Sequence, residues 1–218
     1  MKTANEERGP GVSWPLGLLI ALAVVLVWSW MGAYDRMTWW LEAFPALIAV
    51  PLLMATHKRF PFTTLAYFLI AVHASILMVG AHFTYERVPL FDWVRTLFHL
   101  ARNDYDKIGH LAQGFVPAIV AREVLIRLRV VERRRWLPFL VMSICMAISA
   151  CYELVEWGVA VVEGSGADAF LGTQGDPFDT QSDMFCALIG AAAAQILLTH
   201  LHNRQIARLE TQLGAAKN

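Results

Sequence analysis

Residues 9–34, GPGVSWPLGLLIALAVVLVWSWMGAY, run between Arg8 and Asp35 without one charged side chain. A helix needs about 20 mostly apolar residues to cross the hydrocarbon core of a bilayer, and Trp14–Gly32 supplies them. The stretch is too long for the h-region of a secretory signal, about 7–15 residues, and no small-residue cleavage site follows it. It reads as a retained membrane anchor, so the rest of the chain is to be read with lipid as its solvent.

Composition outside this stretch agrees. Of 218 residues, 57% are hydrophobic and 17% charged, and mean hydropathy is +0.47; soluble domains average about 25% charged residues. Further spans are expected at about 39–56, 62–80, 106–126, 136–160 and 184–201, with a polar tail at 203–218. Trp14, Trp28, Trp30, Trp39 and Trp40 fall near span ends, where aromatic belts form. Between the third and fourth spans, Leu90, Phe91, Val94, Leu97, Phe98 and Ala101 recur at helical spacing. Asp92, Arg95, His99 and Arg102 take the other face, and Pro89 suits a first helical turn. This predicts an amphipathic helix over about 89–102 lying in the membrane surface. The expected fold class is all-α: a polytopic membrane protein forming one domain over 1–218, with about six transmembrane helices and one interfacial helix.

The 106–126 span is weak by hydropathy, since only Ile108–Ala121 lacks Lys, Arg, Asp and Glu. Charge distribution supports it independently. With six spans, thirteen Lys and Arg fall on one side of the membrane, in the N-terminus, 57–61, 122–135 and the C-terminus. Five, Arg36, Arg87, Arg95, Arg102 and Lys107, fall on the other. The positive-inside rule then places both termini in the cytoplasm of a bacterial inner-membrane protein. A formal net charge of zero gives no pull toward nucleic acid, and none is expected as a partner. Cys145, Cys151 and Cys186 lie in apolar runs without a CxxC pair and read as small packing residues.

Ionisable groups gather at one membrane level. Asp106 and His110 are four apart and share a helical face with Lys107 nearby; Glu153 and Glu156 are three apart on the fifth span. At about 1.5 Å per residue, Glu153 falls roughly 25 Å along that span, near its outer end. The 163–182 segment is acidic, with Glu163, Asp168, Asp176 and Asp179, and Asp183 opens the last span. Intramembrane charges usually pair or mark a site. The candidate polar site is therefore Asp106, Lys107, His110, Glu153, Glu156, Asp176, Asp179 and Asp183, with Lys107 a counter-ion for Glu153 or Glu156. His110 with Glu153, Glu156, Asp179 and Asp183 has the donor types for a divalent metal.

The strings Tyr105-Asp106-Lys107-Ile108-Gly109-His110, Tyr152-Glu153-Leu154-Val155-Glu156-Trp157 and Gly172-Thr173-Gln174-Gly175-Asp176-Pro177-Phe178-Asp179-Thr180-Gln181-Ser182-Asp183-Met184 resemble the YjdF-type inner-membrane family, whose function is unknown. More distantly, the order of an Asp-Lys-x-x-His helix, a glutamate helix and an acidic loop resembles VanZ-like proteins, linked to glycopeptide-antibiotic resistance. The resemblance implies a multi-pass membrane fold and strengthens these site residues, and it supplies no reaction.

Three readings stay open. The polar residues form an ion-pair network that locks the last three spans, with Asp183 as an N-cap. Or they form an outer-leaflet enzyme site for a lipid or cell-envelope substrate, with a carboxylate of the 153/156 pair as general base or with a metal activating water. Or they serve a small proton-coupled transporter. The remaining histidines, His57, His73, His82, His99, His200 and His202, read as interfacial or packing residues.

Overall fold

A computed structural model of the chain describes residues 13–164, 168–171 and 173–215. Lys2, Arg8 and Lys217 of the charge argument, and Gly172 of the resembling string, lie outside the described residues, as do the side chains of Trp14, Glu163 and Asp168. The described elements are α1 (Ser13–Trp30), α2 (Arg36–Thr56), α3 (Thr64–Phe83), α4 (Pro89–Phe98), α5 (Tyr105–Arg127), α6 (Leu137–Glu163), α7 (Asp168–Leu171) and α8 (Asp179–Ala215), with a 3-10 turn at Arg134–Trp136. No strand occurs among the described residues.

Local chemistry sets several helix starts. Asp35 caps α2 by accepting a hydrogen bond from Thr38 N at 2.7 Å, which holds its carboxyl below the usual carboxylate range. Thr63 caps α3 through Ala66 N, and Pro89 occupies the first turn of α4. α4 closes with His99 in the left-handed region at φ 53°. The amphipathic helix thus stops at Phe98, and Arg102 and Asn103 turn inward instead of continuing along the surface.

Four described helical segments are long and apolar enough to cross a membrane: Arg36–Thr56, Thr64–Phe83, Arg134–Val162 and Asp179–Ala215. Leu16–Trp30 is apolar but shorter. α5 is long enough, at 23 residues, yet carries charge at both ends. Ten of its residues are buried, Arg122 and Glu123 among them, so little of α5 faces outward and its surface has no need to be apolar. α8 has 37 residues, about 55 Å at 1.5 Å per residue, against a hydrocarbon core of about 30 Å. It starts at Asp179, a turn before the expected 184, and continues into the predicted tail as far as Ala215. Asp183 is consequently inside the helix rather than its cap.

Large residues face out and small ones face in. Leu16, Ile20, Val24, Trp157, Val161, Ile196 and Leu197 are exposed, while Ala43, Ala66, Ala81, Ala118, Ala187, Ala191 and Ala194 are fully buried. That inversion suits lipid, where association comes from close backbone packing rather than from hiding apolar surface. The closest crossing is α5 with α8. A Cβ on Gly114 would run into the Ala187 carbonyl, and one on Gly190 into the Leu111 carbonyl. Cys145 Sγ of α6 reaches Gly114 O at 3.6 Å across the same junction. The contacts Lys107–Asp183 and Arg122–His202 show that α5 and α8 run parallel. α6 runs opposite to both, bringing Tyr152 and Glu153 to the His110 end.

Candidate functional site

The polar cluster forms where the start of α5, the end of α6 and the start of α8 meet. Lys107 Nζ donates to Asp179 Oδ1 at 2.8 Å, Asp183 Oδ1 at 2.7 Å and Ser182 Oγ at 2.6 Å. Its counter-ions are these α8 aspartates, not Glu153 or Glu156. The reason is geometric: the parallel crossing at Gly114 and Gly190 lays the first turn of α8 against the first turn of α5.

Arg102, expected on the polar face of the surface helix, instead reaches into the cluster. It lies 2.5 Å from Asp179 Oδ1, 3.4 Å from Asp104, 3.6 Å from Asp106 Oδ2 and 3.7 Å from Asp176. Burial disfavours its charge, but the hydrogen bond and the negative charge of Asp179 outweigh this and raise its pKa above the ordinary value. Asn103 binds the next layer. Its amide N donates to Gln174 Oε1, Gln174 Nε2 donates back to Asn103 O, and its side chain donates to Val88 O and Asp92 Oδ1 of the α4 segment. Residues 100–104 therefore tie the surface helix and the 173–176 segment to the acidic cluster. Arg102 escaped the sequence reading of the site because helical periodicity assigned it to the face of a helix that ends four residues earlier, and Asn103 carried no signal there.

His110, 4% exposed, is the centre of the arrangement. Its Nδ1 lies 3.0 Å from Gln113 Oε1 and 3.7 Å from Glu153 Oε1. Its Nε2 faces Asp106 Oδ1 at 3.4 Å and Asp183 Oδ2 at 4.0 Å. Nδ1 thus faces an amide oxygen and a carboxylate, and Nε2 faces two carboxylates. Glu153 is 6% exposed, and its Oε1 accepts no hydrogen bond among the described residues. Thr180 approaches the same carboxyl from α8. Glu156 is within electrostatic reach of Glu153, Asp106 and His110. Glu42 of α2 adds a further buried acid, accepting from the Tyr152 hydroxyl at 3.2 Å.

Of the five residues with donor types for a metal, only His110 and Asp183 belong to the group whose ligand atoms lie within 4.8 Å of one another; the third member is Asp106. Asp179 is taken up by Arg102 and Lys107, and Glu153 stands behind the histidine.

A second buried cluster, around Glu123, lies roughly 20 Å from His110 along α5, at about 1.5 Å per residue. Glu123, fully buried, accepts from Thr63 N at 2.9 Å and Arg127 Nη1 at 3.0 Å on one oxygen. On the other it accepts from Thr63 Oγ1 at 2.7 Å and His202 Nε2 at 3.0 Å. Arg122 Nη1 lies 3.1 Å from His202 Nδ1. An arginine only donates, so His202 is the neutral Nε2–H tautomer. Arg122 and Glu123 entered the sequence reading only as flanking charges, and His202 as a packing residue. Their meeting depends on the same α5–α8 crossing.

Two cavities, of about 380 and 370 Å³, lie away from the His110 cluster. The second is an apolar groove between α1 and α3 that reaches Tyr105, the residue before Asp106.

The family model described as "Predicted membrane protein (DUF2238)" matches residues 14–204. The chain is 51% identical over 189 residues to the inner membrane protein YjdF of Escherichia coli, covering 87% of this chain and 90% of that one. No solved structure matches the chain. The resemblance read from the acidic strings thus extends over nearly the whole sequence, and the protein is an integral membrane protein of a family without an assigned function.

Proposed function

The chain belongs to the DUF2238 family of predicted membrane proteins, and from that premise we propose that it is a multi-pass inner-membrane protein acting on the headgroup of an outer-leaflet amphiphile. Six helices span, α1, α2, α3, α5, α6 and α8, with both termini cytoplasmic and the His110 cluster at the extracytoplasmic end. The 13-to-5 division of Lys and Arg supports that orientation.

One observation carries the reading: the surface helix runs directly into the acidic cluster. Leu90, Trp93, Leu97 and Phe98 of α4 are exposed, as an interfacial helix requires. Four residues beyond Phe98, Arg102 is bonded to Asp179. An amphiphile lying beside α4 therefore has its headgroup at the level of His110 and Glu153. The groove that ends at Tyr105 suits an acyl chain of that molecule. Glu153 or Glu156 serves as general base toward water.

Reconstitution in vesicles made from Escherichia coli lipid extract tests this. Wild-type protein should release a headgroup fragment detectable by mass spectrometry, and Glu153→Gln and Glu156→Gln should not. Equal lipid profiles with wild-type and empty vesicles would refute it. A second reading, proton-coupled transport, draws on Glu42 and Tyr152, which extend the acid chain from His110 toward α2. Flux of a solute driven by a pH gradient and lost in Glu42→Gln would favour it.

A further inference from the structure

The geometry points to a divalent transition-metal site formed by Asp106, His110 and Asp183, with Glu153 as the carboxylate behind the histidine. It deepens the proposed function by naming a cofactor for the same site, and it rests on that reading only for its use, not for its existence. The argument starts from three converging ligand atoms. His110 Nε2 faces Asp106 Oδ1 and Asp183 Oδ2; the three lie within 4.8 Å of one another, with His110 and Asp183 buried and Asp106 partly so. A proton on the imidazole or a metal ion is the positive group that fits between them.

The spacing admits an ion. Ligands of a tetrahedral ion at about 2.1 Å stand about 3.4 Å apart, and the separations here are 3.4 and 4.0 Å.

The surroundings are built for this use. Each aspartate gives one oxygen to a fixed cation and turns the other to His110. Asp183 Oδ1 holds Lys107 at 2.7 Å, and Asp106 Oδ2 faces Arg102 at 3.6 Å. Arg102 and Lys107 thus orient the ligands instead of filling the site. Independently, Glu153 places a buried oxygen with no hydrogen bond among the described residues 3.7 Å from Nδ1. Metal-bound histidines almost always direct their second nitrogen to a carbonyl or carboxylate oxygen, and Nδ1 has Gln113 Oε1 at 3.0 Å with Glu153 beyond it. A set of one imidazole and two carboxylates suits Zn²⁺ or Mn²⁺ better than Ca²⁺. Three protein ligands leave one position for water, as in catalytic rather than structural sites.

The full chain, purified in detergent and stripped with chelator, is titrated with Zn²⁺ and with Mn²⁺ by calorimetry, and bound Mn²⁺ is read by electron paramagnetic resonance. One saturable equivalent is expected. His110→Gln and Asp183→Asn should lose affinity by about 100-fold or more, and Glu153→Gln by about 10–100-fold. Added metal should raise the thermal midpoint of the wild type and leave that of His110→Gln unmoved. No saturable uptake by the wild type, or equal uptake by His110→Gln, overturns the site and leaves a proton as the occupant. Uptake without headgroup release supports the site and refutes the reading above. Headgroup release by metal-free protein with no uptake overturns the site alone.

Discussion

Two buried polar clusters sit at opposite ends of the α5–α8 pair, and each is built around one histidine and one glutamate. At the Glu123 end, both carboxylate oxygens are occupied twice over, and His202 is satisfied on both nitrogens. At the His110 end, Nε2 faces two aspartates at 3.4 and 4.0 Å and Glu153 Oε1 accepts no hydrogen bond among the described residues. The same residue types therefore make a closed hydrogen-bond network in one place and a looser cluster in the other. Satisfied buried polar groups rigidify a fold, and unsatisfied ones are kept at the expense of stability. The contrast separates the residues that hold the bundle together from those available for chemistry.

The largest effect that tests this contrast is expected at the closed network. Glu123→Ala strands Arg127, His202 and two donors of Thr63, and breaking a buried pair costs about 3–5 kcal/mol. Denaturant titration in detergent should show that loss; a change under about 1 kcal/mol would mean that Glu123 does not hold the network together. Next comes the crossing that positions both clusters. Gly190→Val forces a side chain against the Leu111 carbonyl and should destabilise by about 1–3 kcal/mol, while also weakening metal uptake at the other end. If uptake were intact, the α5–α8 approach would not set the His110 geometry.

A double-mutant cycle gives a finer comparison. Glu123→Gln with His202→Gln should show a coupling of about 1–2 kcal/mol, within the range for contacting residues. In metal-free protein the same cycle on Glu153 and His110 should give a coupling close to zero. Equal couplings would erase the distinction. The smallest effect is expected for Glu153→Gln alone, with no stability loss above about 0.5 kcal/mol, because the removed charge has an oxygen without a hydrogen bond. A large loss there would show that Glu153 is structural.

Much of the fold was legible in the chain. Uncharged runs of 20–26 residues, at 9–34, 60–85 and 184–203, read as membrane helices because lipid leaves the backbone few other conformations. Asp106 and His110 were placed on one face because four residues make about one helical turn. The surface helix was recognisable from its periodicity, though not its end, because a single left-handed residue at His99 turns the chain and periodicity carries no signal for such a stop. The start of α8 was misjudged by a turn, since Asp179-Thr180-Gln181-Ser182 looks like a polar loop until Arg102 and Lys107 neutralise it.

The sequence by itself determined the solvent, the helical class and the level at which the acids gather, because each depends on local composition or on spacing along one helix. Only the tertiary structure decided which charges meet: Lys107 with the α8 aspartates, Arg102 with Asp179, and His202 with Glu123. Those partners are chosen by how closely α5 and α8 cross at Gly114 and Gly190, where the missing side chains let two backbones touch. The register of that contact is a property of two surfaces together, and neither helix encodes it alone.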